Sequence, residues 1–226
     1  MNPSVFDCDA VLFDMDGTLV DSREIVERTW IGWATEHGVP VESALALAHG
    51  RRTLETMQLL APQLATSEEA ARLDAIEAEQ EGGETTIPGA LTLLSALPAN
   101  RWAVVTSAGH ALARRRIASV GLPAPRVVVG ADDVAAGKPS PEGYLQAAVR
   151  LGVDPRRCVV IEDTPAGAEA GRSAGAKVIG LATTYPTVPH CDVLVGDLRA
   201  VHVAAAAEGY RIRLVADPLP PLPNSR

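Results

Sequence analysis

The stretch Ala10 to Ser22, AVLFDMDGTLVDS, decides how this 226-residue chain folds. Val11, Leu12 and Phe13 are apolar at consecutive positions, the pattern of a central parallel strand buried on both faces. Asp14 and Asp16 follow at its carboxyl end. Two residues apart in extended chain they point to one side, and Gly17 permits a sharp exit. In open α/β sheets that edge is where ligands bind. The pair admits three readings. A calcium loop needs glycine at the sixth position counted from Asp14, where this chain has Leu19. An Asp after a strand also commonly caps a turn or helix. The third reading is chemical, with Asp14 as a carboxylate nucleophile and Asp16 as its acid/base partner. The stretch alone does not choose between the last two.

Three segments further along carry matching chemistry. Trp102 to Val105 reads as a strand that ends in Thr106 and Ser107, before a helix from about His110. Hydroxyls there either hold a phosphate oxygen or cap the helix. Lys138 stands between Gly137 and Pro139 and is one of two lysines in the chain, the other being Lys177 at the start of a further strand. A compact ammonium in such a loop suits neutralising a nucleophile and a phosphoryl group. Cys158 to Ile161 is a short apolar strand ending in Glu162 and Asp163, whose repulsion a cation between them relieves. Hard oxygen donors beside a phosphate favour Mg²⁺. Asp163 as the cap of a helix beginning near Pro165 is compatible with that role.

In this order, DMDGT, VVTS (Val104 to Ser107), Lys138 in GKPSPEGY and VVIEDTPAG (Val159 to Gly167) resemble the motifs of the haloacid dehalogenase-like hydrolase superfamily, over nearly the whole chain up to about Val215. HGRRT from His49, the segment leading into Ser107, and CDVLV from Cys191 resemble the branch containing glycerol-phosphate and 2-deoxyglucose-6-phosphate phosphatases. The resemblance implies a doubly wound, Rossmann-like parallel sheet, with the first strand between those carrying Thr106 and Asp163. It implies a small α-helical cap over residues 20–87, inserted in a core made of 1–19 and 88–216. The implied activity is hydrolysis of a sugar or polyol phosphate through an aspartyl-phosphate. Asp14 is then the nucleophile and Asp16 the acid/base, while Thr106, Ser107 and Lys138 bind phosphate. Asp14, the Asp16 carbonyl, Asp163 and Glu162, directly or through water, would hold Mg²⁺. Ala108 and Gly109 depart from the family, which commonly has glycine directly after the serine. Asp16 argues against a dehalogenase, which lacks that second Asp. A phosphonatase or a β-phosphoglucomutase would use a cap lysine that this chain does not have. A phosphomutase is the alternative enzyme and a phospho-ligand sensor the non-enzymatic alternative, although the residue set is complete for turnover.

Within the inserted segment, Val26, Trp30, Trp33 and His37 form one helical stripe that stops at Gly38, and the tryptophans read as core. Thr66 to Glu69 is a capping box, with Leu73 and Ile76 expected inward and Glu77, Glu79 and Glu81 facing water. His49, Arg51 and Arg52 precede a helix through Thr53. By composition they are loop charges and a capping group; the resemblance implies contact with substrate in a mobile lid. Arg114, Arg115 and Arg116 are expected to face solvent.

Net charge is −8 and the pI near 5.1, so a nucleic-acid backbone is not an expected partner. Cys8, Cys158 and Cys191 suggest buried thiols in a reducing compartment rather than a disulfide framework. No apolar run is long enough for a membrane span and the N-terminus lacks a signal peptide's basic region, so a cytoplasmic protein is expected. A monomer is the default, a homodimer the alternative. Val201 to Ala206 and Tyr210 to Val215 suit a hairpin, though the alanine run also permits a helix. The tail 217–226, with Pro218, Pro220, Pro221 and Pro223, is expected to be disordered or loosely attached.

Overall fold

The apolar run that opens the motif forms a fully buried strand at the centre of the sheet. In the computed structural model, which describes residues 2–80, 82–206, 208–209 and 211–220, a strand β1 (Ser4–Cys8) precedes it, and β2 (Ala10–Phe13) is that central strand. The chain leaves through β3 (Val20–Asp21) into four helices, α1 (Arg23–His37), α2 (Val41–Leu47), α3 (Thr53–Leu60) and α4 (Ser67–Glu79), and returns through β4 (Thr85–Thr86). Then follow α5 (Ala90–Ala96), β5 (Trp102–Val105), α6 (His110–Ser119), β6 (Val128–Val129), α7 (Glu142–Leu151) and β7 (Cys158–Glu162). The chain closes with α8 (Pro165–Ser173), β8 (Lys177–Leu181), β9 (Val193–Val195), β10 (Val201–Ala204) and β11 (Ile212–Ala216).

The large sheet is parallel throughout, in the order β6-β5-β2-β7-β8-β9. This is the doubly wound arrangement, with β2 between the strands that carry Thr106 and Asp163. Register makes the placement definite: Phe13 lies opposite Val104 on one side and Ile161 on the other. The residues just beyond these three therefore emerge at one sheet edge. Apolar side chains from both faces of β2, β5 and β7 fill two core layers, beneath α5 and α6 and beneath α7 and α8.

A smaller antiparallel sheet, β1-β11-β10, packs beside the core. The β10–β11 pair is the expected hairpin, whereas β1 is a strand that the alternation of Val5 and Asp7 does not announce. The tail starts tied down: Asp217 N donates to Ala200 O at 2.9 Å and Leu219 N to Leu194 O at 2.8 Å. Residues 221–226 and Glu81 lie outside the described residues.

β3 and β4 pair as a two-residue ribbon, Val20 with Thr86 and Asp21 with Thr85, and the four helices lie between them. These helices share their own apolar cluster, with Trp30 and Trp33 in edge contact at 5.4 Å and Met57 and Leu73 against them. Gly38 ends α1 in the left-handed conformation, and the Thr66 hydroxyl accepts from Glu69 N. Two expectations for α4 fail. Ile76 is 38% exposed, and Glu77 is partly buried rather than solvated. The reason is the stripe: Ala70, Leu73 and Glu77 recur at spacings of three and four, so Glu77 continues the inward face and Ile76 falls beside it.

After the ribbon, Gly89 opens α5 at φ 93°, where a Cβ would lie 2.4 Å from the backbone of Leu198 and Arg199. Gly121 has a similar φ of 70° but open space around it. Gly121→Ala should therefore cost only the conformational term, about 1–2 kcal/mol. Gly89→Ala should cost about 2–4 kcal/mol, because the backbone it meets cannot rotate away. Urea unfolding of both variants checks this, and equal losses would show that the contact at Gly89 relaxes freely.

Candidate active site

Three strand ends and one loop converge on a buried charged cluster. Asp14 leaves β2, Glu162 and Asp163 leave β7, and all are buried, with carboxylate oxygens lying within 4.8 Å of one another. Lys138 enters from the loop before α7 and is also buried. Its Nζ donates to Asp14 Oδ1, to Glu162 Oε1 at 2.6 Å and to Val105 O at 3.2 Å, and it stands 5.4 Å from the Tyr144 ring centre. Tyr144 on α7 also donates its hydroxyl to Glu162 Oε1 at 3.0 Å.

The two β7 carboxylates differ in their commitments. Glu162 is saturated, since Oε2 accepts from Asp163 N, Thr164 N and the Thr164 hydroxyl, each at 2.9 Å. Direct ligation by Glu162 would break bonds that hold Lys138 or the start of α8. Asp163 is the opposite case. Its Oδ1 accepts from Thr18 Oγ1 at 3.0 Å; Oδ2 is buried and accepts no hydrogen bond of ordinary geometry among the described residues, although the Thr184 hydroxyl stands close enough to lower the carboxyl's pKa. Gly17, at φ 83°, makes room for it, because a Cβ there would lie 2.1 Å from Oδ2.

Charge completes the test of fit. Burial works against the Lys138 ammonium, but Asp14 and Glu162 outweigh it, and its pKa is raised well above the usual value. Burial pushes the Asp14 carboxyl well above the usual carboxylate range; Lys138 pulls the other way without cancelling it, and Glu162 and Asp163 add to the rise. Asp163 is pushed up to about 7, first by burial and then by Glu162. A buried site with three carboxyl groups and one ammonium thus lacks positive charge, and it presents a hard oxygen that no hydrogen bond of ordinary geometry satisfies. Both features fit a divalent cation.

Above the cluster lies a cleft of about 660 Å³ between core and cap. Asp14, Asp16, Thr106 and Ser107 line its core side and His49, Arg51 and Arg52 its cap side, so the expected residues from both parts meet in one space. Their commitments differ. Thr106 is buried and its hydroxyl accepts from Ala108 N at 3.1 Å. Ser107 donates to the cap carbonyl of Gly50 at 3.2 Å. His49 Nε2 lies 3.8 Å from Glu27 Oε1, and burial, only partly offset by Glu27, lowers its pKa. Arg51 makes no hydrogen bond or ion pair among the described residues. Arg52 is heavily used, donating to Glu55 twice, to Val134 O at 3.3 Å and to Ala135 O at 3.1 Å.

One expectation is reversed. Arg116, read as solvent-facing, is 1% exposed and donates to Asp16 Oδ1 at 2.7 Å. Ala113, Arg116 and Ile117 form the buried stripe of α6, a spacing that was available in the sequence, whereas Arg114 is exposed and Arg115 intermediate. Tyr144, Glu55 and Asp74 also escaped notice. Asp74 accepts from Thr53 and lines the cleft.

Residues 8–175 match the haloacid dehalogenase-like hydrolase family. The chain belongs to that family. It is 41% identical over 211 residues to hexitol phosphatase A of Escherichia coli (strain K12), which spans 89% of this chain and 97% of the relative. It is 35% identical over 226 residues to glycerol-1-phosphate phosphohydrolase 2 of Saccharomyces cerevisiae (strain ATCC 204508 / S288c), spanning 92% of this chain and 90% of the relative. A solved hydrolase from Pseudomonas syringae superposes with a TM-score of 0.72 at 25% identity, covering 84% of this chain and 94% of the other. The protein is thus a hydrolase, and the full-length relatives named here are phosphatases.

The raised pKa of Asp163 has a consequence for stability. Between about pH 4, where the unfolded carboxyl titrates, and about 7, the folded cation-free chain holds a proton that the unfolded chain has lost. This contribution makes the folded state less stable as pH rises through that window. A divalent cation bound at Asp163 would take the proton's place, so Mg²⁺ or Mn²⁺ should raise Tm little at pH 5 and clearly at pH 8. Asp163→Asn should abolish the difference. An equal shift in Tm at both pH values, measured by calorimetry, would separate Asp163 from the cation site.

Proposed function

We propose that the protein is a Mg²⁺-dependent cytoplasmic phosphatase that hydrolyses a small sugar or polyol phosphate through an aspartyl-phosphate on Asp14. The observation that carries this reading is the joining of Asp14, which lines the cleft beneath the cap, to Lys138 and Asp163. The cation would be held by Asp14, Asp163 and the Asp16 backbone carbonyl, with Glu162 contributing mainly through its charge and its grip on Lys138. When bound, it supplies positive charge for the phosphoryl oxygens.

The chain's own groups do the rest. An Asp14 carboxylate oxygen attacks phosphorus in line with the leaving oxygen. Lys138, Thr106 and Ser107 with the N–H groups of their loop face the equatorial oxygens. Asp16 gives a proton to the departing alcohol, then takes one from the water that attacks the aspartyl-phosphate and releases inorganic phosphate. Burial of the cluster keeps these charges strong.

The cap side selects the leaving group. Beyond the phosphoryl position the cleft presents Asp74 from the cap and Asp132 from the core, and burial holds Asp74 above the usual carboxylate range. Such acceptors suit hydroxyl groups and oppose a second phosphate. His49 and Arg51 supply the complementary donors, while Arg52, with four of its five N–H bonds in use, has one left for a ligand. No helix among the described residues is long and apolar enough to cross a membrane. A monomer suffices for this chemistry, since every group in it comes from one chain.

Two measurements test the reading. Asp14→Asn should abolish turnover, and Asp16→Ala should lower kcat/KM on glycerol phosphate by about 10²- to 10⁴-fold. Single turnover in ¹⁸O-water should put the label in inorganic phosphate; isomerised sugar phosphate without free phosphate would establish a mutase instead. In a steady-state screen, glycerol and hexitol phosphates should outperform hexose bisphosphates and nucleotides. A nucleotide as best substrate would refute the cap assignment and leave the core chemistry standing.

A further inference from the structure

Arg116 joins three parts of the molecule that sequence order keeps far apart. From the inner stripe of α6 its Nη1 donates to Asp16 Oδ1 at 2.7 Å, its Nη2 to Glu77 Oε1 at 2.8 Å and its Nε to Glu84 Oε1 at 3.3 Å. Asp16 belongs to the loop after β2, Glu77 to the last turn of α4 in the cap, and Glu84 immediately precedes β4, where the chain returns to the core. Asp16 Oδ1 is gripped a second time, by the Ser22 hydroxyl at 2.6 Å, at the point where the outgoing strand meets α1. Both anchors use the same oxygen, which leaves Oδ2 for a group in the cleft.

The cluster makes poor sense as a stabilising device. Three carboxylates face Arg116; beyond it, Arg115 at 3.4 Å and Ser119 at 2.6 Å serve Glu84, and Ser22 at 2.6 Å serves Asp16. Buried ion groups of this kind cost desolvation that apolar packing would avoid. The planar fork of a guanidinium is what allows three contacts in fixed directions at once. If the cap withdraws Glu77, Nη2 loses its partner, the guanidinium plane is free to turn, and Asp16 loses one of the two groups that orient it.

We propose that Arg116 is a positioning residue for proton transfer: it aims Asp16 at the leaving-group oxygen while Glu77 of the docked cap holds the other side of its fork. Cap closure and readiness of the acid/base are then a single event, and a substrate too small or misshapen to let the cap close meets a misaligned Asp16. The inference rests on the reading of Asp16 as the acid/base group.

The test uses two leaving groups. Glycerol phosphate expels an alkoxide that needs a proton, whereas p-nitrophenyl phosphate expels a phenolate that does not, and kcat/KM reports the phosphoryl-transfer step that differs between them. Arg116→Lys should lose about 10- to 100-fold in kcat/KM on glycerol phosphate and no more than about three-fold on the aryl ester. Glu77→Gln, which keeps the shape of the cluster, should show the same split at about five- to ten-fold, and it carries the test if Arg116→Lys does not fold. In an Asp16→Ala background, Arg116→Lys should cause no further loss on glycerol phosphate. Equal losses on both esters would make Arg116 a structural residue and overturn the proposal, as would an additive loss in the double variant. If Asp16→Ala itself treats the two esters alike, the reading of Asp16 has failed, and the role of Arg116 falls with it.

Discussion

Lys138 enters a buried space already occupied by Asp14, Glu162 and Asp163, and one positive charge against three carboxyl groups leaves the site short of cation. Much of the surrounding architecture can be understood as keeping that imbalance in place. β2 and β7 are buried at every residue, so their ends cannot shift to let the carboxylates separate. Tyr144 and the start of α8 bind Glu162 so fully that it serves as a fixed anchor for the ammonium. Asp163 Oδ2 is held in a pocket that only glycine at position 17 leaves open. A fold built for stability alone would have neutralised or removed such a group. Its retention is the physical signature of a site completed by a cation and an anionic substrate.

The cap is attached to this site by more than its hinge. Ser107 reaches the Gly50 carbonyl; Glu55 accepts from Gly137 N at 3.0 Å, and Arg52 grips the carbonyls of Val134 and Ala135. Each of these cap contacts falls on a loop that also carries a core residue of the proposed chemistry: Thr106 beside Ser107, Lys138 beside Gly137. Arg116 extends the pattern to Asp16. The apolar cluster around Trp30 and Trp33 makes the helical insert cohere separately from the core, and the short β3–β4 ribbon is its covalent link. A unit with its own core, a narrow hinge and polar contacts to each motif loop is suited to closing as one piece.

How much of this was legible in the sequence depended on whether a residue's role was local. Strand ends are local, so Val11 to Asp16, Val104 to Ser107 and Val159 to Asp163 announced both the sheet and its loaded edge. The scarcity of lysine singled out Lys138 without any knowledge of what it touches. Roles set by distant partners were hidden. Arg116 looked like one of three solvated arginines because its partners lie 100, 39 and 32 residues away, and only the stripe formed with Ala113 and Ile117 hinted that it turns inward. Glu77 was lost in an acidic run for the same reason. Arg52 was visible as a cap charge, but its ties to Glu55 and the Lys138 loop depend on how cap and core dock. β1 escaped because an edge strand with Asp7 in it, paired through Arg213 at 2.8 Å, carries no apolar alternation.

Division of labour between core and cap then follows from where charge is placed. In the proposed reaction the core's unbalanced groups act on the phosphoryl position, which every phosphate ester shares, so nothing there distinguishes one alcohol from another. On the proposed reading, discrimination falls to the part of the cleft beyond the phosphoryl position, where Asp74 of the cap and Asp132 of the core face it. Carboxylates reward hydroxyl donors individually and penalise a second anion, but they measure carbon count poorly, because a missing or extra methylene is worth little in binding compared with an unpaired polar group. What length discrimination exists must therefore come from cap closure, and the contact through which closure reaches the reacting groups is Arg116 between Glu77 and Asp16.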